Sequence, residues 1–368
     1  MKLALVVPGG VDRSGEYRVI PALLGLLRQL SMRHDVHVFA LRQEPKPGRW
    51  NLAGANIHNI GVDPLAWRAV MAIRREHRRE PFALVHAIWS GRSGAVAFAA
   101  ARLLGLPSMV HVAGGELVAM RDIGYGGQLT LRGRLAEPSL LRRVNVVSAA
   151  SAPMIASLAK FGIRAETVPL GVDLDAWPAR LPARRIRGES LRLIQVASLN
   201  RVKDQPTLLR AVARLAAMEI PVSLEVVGVD TLASEVQQLA ERLGVRARVQ
   251  FSGYLPYRQL RERMEAAHVC IVSSRHEAGP LAMLEAAVAG VPTVGTAVGH
   301  VADWAPDAAL AVNVGDDAEL ASAIGRLAND EDLRIALAQA AQTRALAIDA
   351  KFTAARFCEF YDRQVRGA

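Results

Sequence analysis

The sequence of 368 residues predicts an α/β protein made of two doubly wound domains. Three observations carry the prediction. Short β-branched runs alternate with segments of helical period, as βα units do when stacked on a parallel sheet. The alternation is interrupted once, at LDAWPARLPARRIRGES (174–190), where Pro and Arg replace any apolar period. The length also suits two domains.

In the first series the expected strands are LALVVP (3–8), VHVFAL (36–41), NIHNI (56–60), LVHAIW (84–89), SMVHVAG (108–114), VNVVSA (144–149) and ETVPLG (166–171). Helical patterns fall between them at about 16–33, 65–79, 93–104, 129–143 and 151–162. The second series opens with LRLIQVAS (191–198) and continues through VSLEVVG (222–228), VQFSGY (249–254), VCIVSS (269–274), PTVGTA (292–297) and LAVNV (310–314). Its helices fit at about 204–218, 231–243, 256–267, 280–289, 316–328 and 331–346. KFTAARFCEFYDRQVR (351–366) is one more amphipathic helix. The domains expected are therefore 1–173 and 191–350, with 174–190 as linker and 351–368 as a terminal helical segment. Parallel sheets bind ligands at the carboxyl ends of their strands, so two such sheets facing each other make a cleft whose strand-to-helix loops are the place to look for function.

Composition removes several classes. Hydrophobic residues make up 51% and charged residues 22%, the balance of a globular chain. Two cysteines, Cys270 and Cys358, both among apolar neighbours, make no disulfide framework and suit a reducing, cytoplasmic compartment. MKLALVVPGG is too short for a signal-peptide core and reads as a first strand, and no apolar stretch reaches the ~20 residues of a membrane span. No Gly-x-Gly-x-x-Gly follows a strand, which argues against a dinucleotide-dependent oxidoreductase, and no recognisable module or aromatic platform supports nucleic-acid binding. The net charge of +10 is uneven: residues 1–180 hold 23 basic and 13 acidic side chains, residues 181–368 hold 22 of each.

The segment richest in chemistry is SSRHEAGPLAMLEAAVAGVP (273–292). Glu277 lies in a loop. Glu285 sits in LAMLEAAVAG with apolar neighbours on both sides, so it needs hydrogen-bonding partners, whether ligand hydroxyls or a nearby Arg. Gly279 and Pro280 mark the turn into the helix, where the first N–H groups, at Leu281 and beyond, are available to a phosphate or sugar oxygen.

This segment resembles the Glu, seven residues, Glu motif of retaining glycosyltransferases of family 4 (glycosyl transferases group 1), which have the GT-B fold of two Rossmann-like domains facing across a cleft. The words SGEYRVIPALLGLLRQLSMRHDVHVFA, VPLGVD (168–173), ASLNRVKDQPTLLRAVA (197–213) and FSGYLP (251–256) agree and stand in the right order. The resemblance implies transfer of a sugar from a nucleotide-diphosphate donor, UDP- or GDP-linked, to an acceptor hydroxyl with retention at the anomeric carbon. It implies that Arg201 and Lys203 hold the donor diphosphate, where cations stabilise a leaving group that gains charge. Glu277 would contact donor-sugar hydroxyls, Glu285 the ribose, and Gly253 and Tyr254 the base. His111 in VHVAGGE takes the place of a histidine near the transferred sugar, with Glu116 as a neighbour in the acceptor pocket. Gly15 is the expected donor-contacting glycine of the first loop, with Gly9 and Gly10 as alternatives. The terminal helix would cross back to the first domain.

The sequence departs from the family pattern in places. Pro-Asn-Gly-Val-Asp reads Pro169-Leu170-Gly171-Val172-Asp173, and the loop after Glu277 reads Ala-Gly-Pro. Asp173-Leu174-Asp175 has the form of a metal-binding Asp-x-Asp, but it opens the linker instead of ending a strand within a domain. With no Cys/His cluster at zinc spacing, metal-independent catalysis without a cofactor is expected. The acceptor can be a saccharide, a lipid-linked sugar or a small molecule, as in polysaccharide, glycolipid or glycoside synthesis. Arg74, Arg75, Arg78, Arg79, Arg132, Arg134, Arg142 and Arg143 in the basic half suggest an anionic acceptor or peripheral contact with anionic lipid. A sugar-nucleotide epimerase or hydrolase of similar fold, or a noncatalytic nucleotide-sugar-binding protein, are the rival readings.

Overall fold

The computed structural model describes residues 1–62, 65–186 and 188–366. The chain forms two compact units, one of Met1–Asp173 with the segment from Ile348 onward, the other of Leu174–Ala347.

Unit 1 carries β1 (Lys2–Val7), α1 (Pro21–Ser31), β2 (Asp35–Ala40), β3 (Gly48–Leu52), β4 (Ala55–Asn59), α2 (Leu65–Arg79), β5 (Leu84–Ile88), α3 (Gly91–Leu104), β6 (Ser108–Val112), α4 (Leu131–Leu141), β7 (Val146–Ala149), α5 (Ala152–Ala159) and β8 (Glu166–Thr167). Its sheet runs β3-β4-β2-β1-β5-β6-β7-β8. All six residues of β1 are buried, as a strand covered on both faces requires. The helix expected from residue 16 starts at Pro21, the residue type whose fixed φ suits a first helical position. Residues 11–19 instead form a loop closed by a Val11–Val19 bridge. The edge strand β3 has no counterpart in the expected series. It is the antiparallel arm of a hairpin with β4, turned by Ala53 and Gly54 with φ of 51° and 80°, the paired positive values of a two-residue turn matched to strand twist.

Unit 2 carries β9 (Leu191–Val196), α6 (Gln205–Ala217), β10 (Val222–Val227), α7 (Glu235–Arg242), β11 (Val249–Gly253), α8 (Tyr257–Ala266), β12 (Val269–Val272), α9 (Leu281–Val288), β13 (Thr293–Thr296), α10 (Gly299–Trp304), β14 (Leu310–Val312), α11 (Asp317–Asn329) and α12 (Glu331–Ala347). The sheet order is β11-β10-β9-β12-β13-β14, every pair parallel. Counted within the unit this is 3-2-1-4-5-6, the doubly wound order of nucleotide-binding sheets. The short helix α10 lies where no element is expected.

Residues 174–186, most of the stretch expected as a linker, form an ordered strap belonging to unit 2. Trp177 is fully buried with its ring centroid 4.8 Å from that of Tyr257. The Arg180 N–H donates to the Val288 carbonyl at 3.0 Å, and Gln342 Nε2 donates to the Arg180 carbonyl at 2.6 Å. Arg334, itself buried, donates to the carbonyls of Ala183 and His268 and to Glu331. The strap has no helical or strand period, so tertiary partners such as these take the place of a ladder in satisfying its backbone.

The terminal helix α13 (Ala350–Arg366) completes unit 1, where it packs on α1. Phe357, Phe360 and Tyr361 are fully buried, each adding roughly 1.5–3 kcal/mol of hydrophobic stabilisation. Its first turn docks on VPLGVD: Gly171 N–H donates to Thr353 Oγ1 at 2.9 Å, Thr353 Oγ1 donates to the Pro169 carbonyl at 2.7 Å, and Ala350 N–H donates to the Val172 carbonyl at 2.9 Å. A Cβ on Gly171 would lie 2.0 Å from the Ile348 carbonyl oxygen, which explains the glycine of this motif. Asp173 is buried and ion-paired with Arg28, an interaction internal to unit 1.

Candidate active site

In unit 2 the chain direction of strand addition reverses between β9 and β12, which are hydrogen-bonded neighbours. Loops leaving the carboxyl ends of two such strands diverge to opposite faces of the sheet and open a crevice. Here those loops are 197–204 and 273–280, and they bring Lys203 and Glu277 together. Lys203 Nζ lies 2.5 Å from Glu277 Oε1, and Ser274 Oγ donates to the same oxygen at 2.6 Å. The side chains are 26% and 14% exposed, so the pair is reachable yet largely shielded from water.

The loops are stapled to each other and to the sheet. Ser273 Oγ donates to the Lys203 carbonyl at 2.8 Å and accepts from Gln195 Nε2 at 2.8 Å. Arg275 N–H donates to the Val202 carbonyl at 2.8 Å. Asn200 Oδ1 accepts from the Lys203 N–H at 3.1 Å, and Asp204, with φ of 47°, caps α6 through Thr207. From the other side Thr296 Oγ1 donates to the Ser274 carbonyl at 2.5 Å. A Cβ on Gly299 would meet Pro280 Cδ at 2.9 Å and the Glu277 carbonyl oxygen at 3.1 Å. Ser274, Thr296 and Gly299 are thus positioning residues that sequence reasoning missed. The pair of glycines in PTVGTAVGH was the available signal for a close backbone approach.

Glu285 is 7% exposed on α9. Burial pushes its carboxyl up to about 7, opposed by the hydrogen bond from the Tyr257 hydroxyl of α8. Burial, with Glu285 beside it, likewise raises the Tyr257 phenol well above its ordinary value. Within the chain, the partner of this buried group is therefore Tyr257 and not an Arg.

The other expected donor-side residues are dispersed around this centre. Arg201 is exposed, its guanidinium 3.4 Å from Glu235 Oε2. Gly253 ends β11 with φ of 65° and open space around its Cβ position, and its carbonyl accepts from Gly228 N–H at 2.8 Å. Tyr254 beside it is exposed. Pro280 caps α9 directly after Gly279, and Leu281 is the first helical residue.

In unit 1 His111 departs from expectation. It has no exposed surface and lies within β6, paired in register between Ile88 and Ser148. Its Nδ1 is 3.0 Å from Ser148 Oγ, its ring stands edge-on to Phe357 of α13, and burial lowers its pKa to about 3. Strand periodicity turns this side chain into the core, under α13. Glu116 lies in the loop that follows β6. It accepts from Ser90 N–H at 3.1 Å beside Glu137, which accepts from Gly91 N–H at 3.0 Å and from the Ser90 hydroxyl. Burial raises the Glu116 pKa, and Glu137 adds to the effect. This is the start of α3, after Trp89, whose φ of 69° is strained for a bulky residue. Gly15 turns the first loop with φ of 69° and donates to the Asp12 carbonyl at 3.0 Å. Gly10 N–H is taken by Gln43 Oε1 at 2.7 Å, and its Cβ position would collide with Ile20 at 2.6 Å. Gly9 has no positive φ.

Two α/β units, the second with its crevice at a switch point, define the GT-B fold. Sucrose-phosphate synthase from Thermosynechococcus elongatus has the same fold over the whole of both chains, with a TM-score of 0.85 at 19% identity. Anabaena HepE, solved in complex with UDP-glucose, matches 99% of this chain and 100% of its own, with a TM-score of 0.77 at 17% identity. At the level of family, residues 181–344 match glycosyl transferases group 1, and residues 19–171 match the glycosyl transferase 4-like domain. D-inositol 3-phosphate glycosyltransferase of Corynebacterium jeikeium (strain K411) is 34% identical over 196 residues, which span 48% of this chain and 46% of that protein. The match thus covers slightly less than half of this curated relative. Among the described residues no helix is long and apolar enough to cross a membrane.

Proposed function

We propose that this protein is a retaining glycosyltransferase that moves a sugar from a nucleotide-diphosphate donor to an acceptor hydroxyl. The observation that carries the reading is the Lys203–Glu277 pair at the β9/β12 crevice, in the unit that matches glycosyl transferases group 1. A partly shielded ammonium beside a carboxylate is a site with one group for each half of a sugar diphosphate. Lys203 turns to the diphosphate and offsets the charge that grows on it as the glycosidic bond breaks, with Arg201 as the second cation. Glu277, released from Lys203 and held by Ser274, accepts from sugar hydroxyls. Neither carboxylate serves as a nucleophile. The leaving phosphate oxygen takes the acceptor's proton on the same face, which yields retention, and the charge work falls to these side chains without a metal.

UDP-glucose, the ligand in the HepE structure, is the first donor to test. The basic excess of residues 1–180 favours an anionic acceptor, and D-inositol 3-phosphate, named in the relative from Corynebacterium jeikeium, is the first to try. The test is turnover on a panel of UDP- and GDP-sugars with product anomers read by NMR. Lys203→Ala is expected to lower kcat by about 10²-fold or more. Turnover of the true donor within a few fold of wild type would overturn the assignment, and inversion at the anomeric carbon would overturn the same-face route. Epimerised sugar formed without acceptor product would favour the rival enzyme class.

A further inference from the structure

Away from the candidate site, one group of metal-ligating side chains stands out among the described residues. His37 on β2, His58 on β4 and Glu76 on α2 are all buried, and one ligand atom from each lies within 4.8 Å of the others. His37 Nδ1 is 2.9 Å from His58 Nε2. The two rings are stacked with centroids 5.1 Å apart, and His58 stacks in turn on Phe39 at 4.7 Å. His37 Nε2 is 3.1 Å from Asp35 Oδ2. That carboxylate accepts the Nε2 proton and leaves Nδ1 as the lone-pair nitrogen facing His58, which is the outer-shell arrangement that orients a ligating imidazole.

We infer that His37 Nδ1, His58 Nε2 and a Glu76 oxygen form a binding site for a divalent ion of the zinc type, with a water as fourth ligand. Two imidazole nitrogens and a carboxylate oxygen suit zinc, whereas magnesium and calcium want oxygen alone. Tetrahedral bonds of about 2.0–2.1 Å place two ligand nitrogens roughly 3.3 Å apart, so the pair needs to open by only about 0.4 Å. The ligands come from three elements of a packed sheet edge, so an ion there cross-links β2, β4 and α2.

The surrounding charges set the strength of the site. Glu76 also faces Lys2 at 3.6 Å, Arg49 at 3.5 Å and Arg79 at 3.4 Å. Of these cations only Arg79 donates a hydrogen bond to Glu76, a long one at 3.4 Å. Arg49 and Arg79 are more than half exposed and can turn to solvent, and Lys2 has a second partner in Glu80 at 3.3 Å. The cations weaken the site relative to an all-anionic one, and micromolar binding is the expected range.

The test uses the full chain without a histidine tag, stripped with a chelator, titrated with Zn²⁺ by calorimetry and with Co²⁺ by visible absorption. One equivalent of each, d–d bands of tetrahedral Co²⁺, and a melting temperature that rises with Zn²⁺ concentration are expected. Asp35→Asn changes an exposed outer-shell group and should weaken binding by about 10–100-fold. His58→Phe keeps a ring against Phe39 and should abolish binding. Absence of Zn²⁺ and Co²⁺ binding by the wild type, or undiminished binding by both variants, would overturn the proposal. Should His58→Phe not fold, Asp35→Asn alone decides between these outcomes.

Discussion

Glu285 offers the most direct test of how unit 2 is held together, because its charge state couples burial to pH. In the unfolded chain its carboxyl titrates near its ordinary value of 4.5; in the fold burial raises it to about 7. Between those values the folded protein keeps a proton that the unfolded chain has shed. Stability is therefore full below pH ~4.5 and declines as pH rises, reaching its loss above about 7. At 1.36 kcal/mol per pH unit the loss comes to about 3 kcal/mol. Glu285→Gln keeps an oxygen for the Tyr257 hydroxyl and removes the titration. It pays a constant cost for an amide without its full set of partners, about 1–3 kcal/mol, but that cost does not change with pH. The measured quantity is the melting temperature of the variant minus that of the wild type, from pH 5 to pH 8. At about 2–4 °C per kcal/mol for a unit of this size, the difference should rise by roughly 6–12 °C across the range. A flat difference, or one that falls with pH, would refute a buried carboxyl held neutral by its surroundings.

Two further outcomes follow from unit 1. Gly171→Ala places a Cβ 2.0 Å from the Ile348 carbonyl oxygen and should detach the first turn of α13; amide exchange at 350–354 should accelerate well before global unfolding, and unchanged protection would contradict the packing described. His111 is held neutral with a pKa of about 3, so the unfolded chain gains a proton below pH ~6.5 that the fold refuses, and stability falls on acidification. His111→Gln should recover about 1.4 kcal/mol per pH unit below that point relative to wild type, measured by urea titration at pH 4, 5 and 7, and parallel curves would show that His111 is charged or exposed.

Much of the fold was legible because its elements are local patterns. Unbroken apolar runs such as LALVV and VCIV announce strands covered on both faces, and the amphipathic segments between them can only be helices packed on a parallel sheet. The hairpin arm β3 escaped notice because GRWNL is half-exposed, with neither a continuous apolar run nor a buried alternating face. The strap at 174–186 shows no local signal for a related reason: its order comes from Arg334, Gln342 and Tyr257, residues far along the chain that no local period announces.

At the candidate site the sequence by itself determined the residue types, since a Lys after the first strand of unit 2 and a Glu after the fourth stand where loops leave strand ends. Tertiary structure alone decided what those side chains touch. Strand order placed Lys203 against Glu277 across 74 positions of chain, and helix packing supplied Tyr257 to Glu285. Strand parity turned His111 away from the loops and under α13. Parallel pairing of β2 and β4 likewise brings His37 beside His58, two positions off register, and the packing of α2 adds Glu76, a grouping whose spacing in sequence resembles no zinc motif.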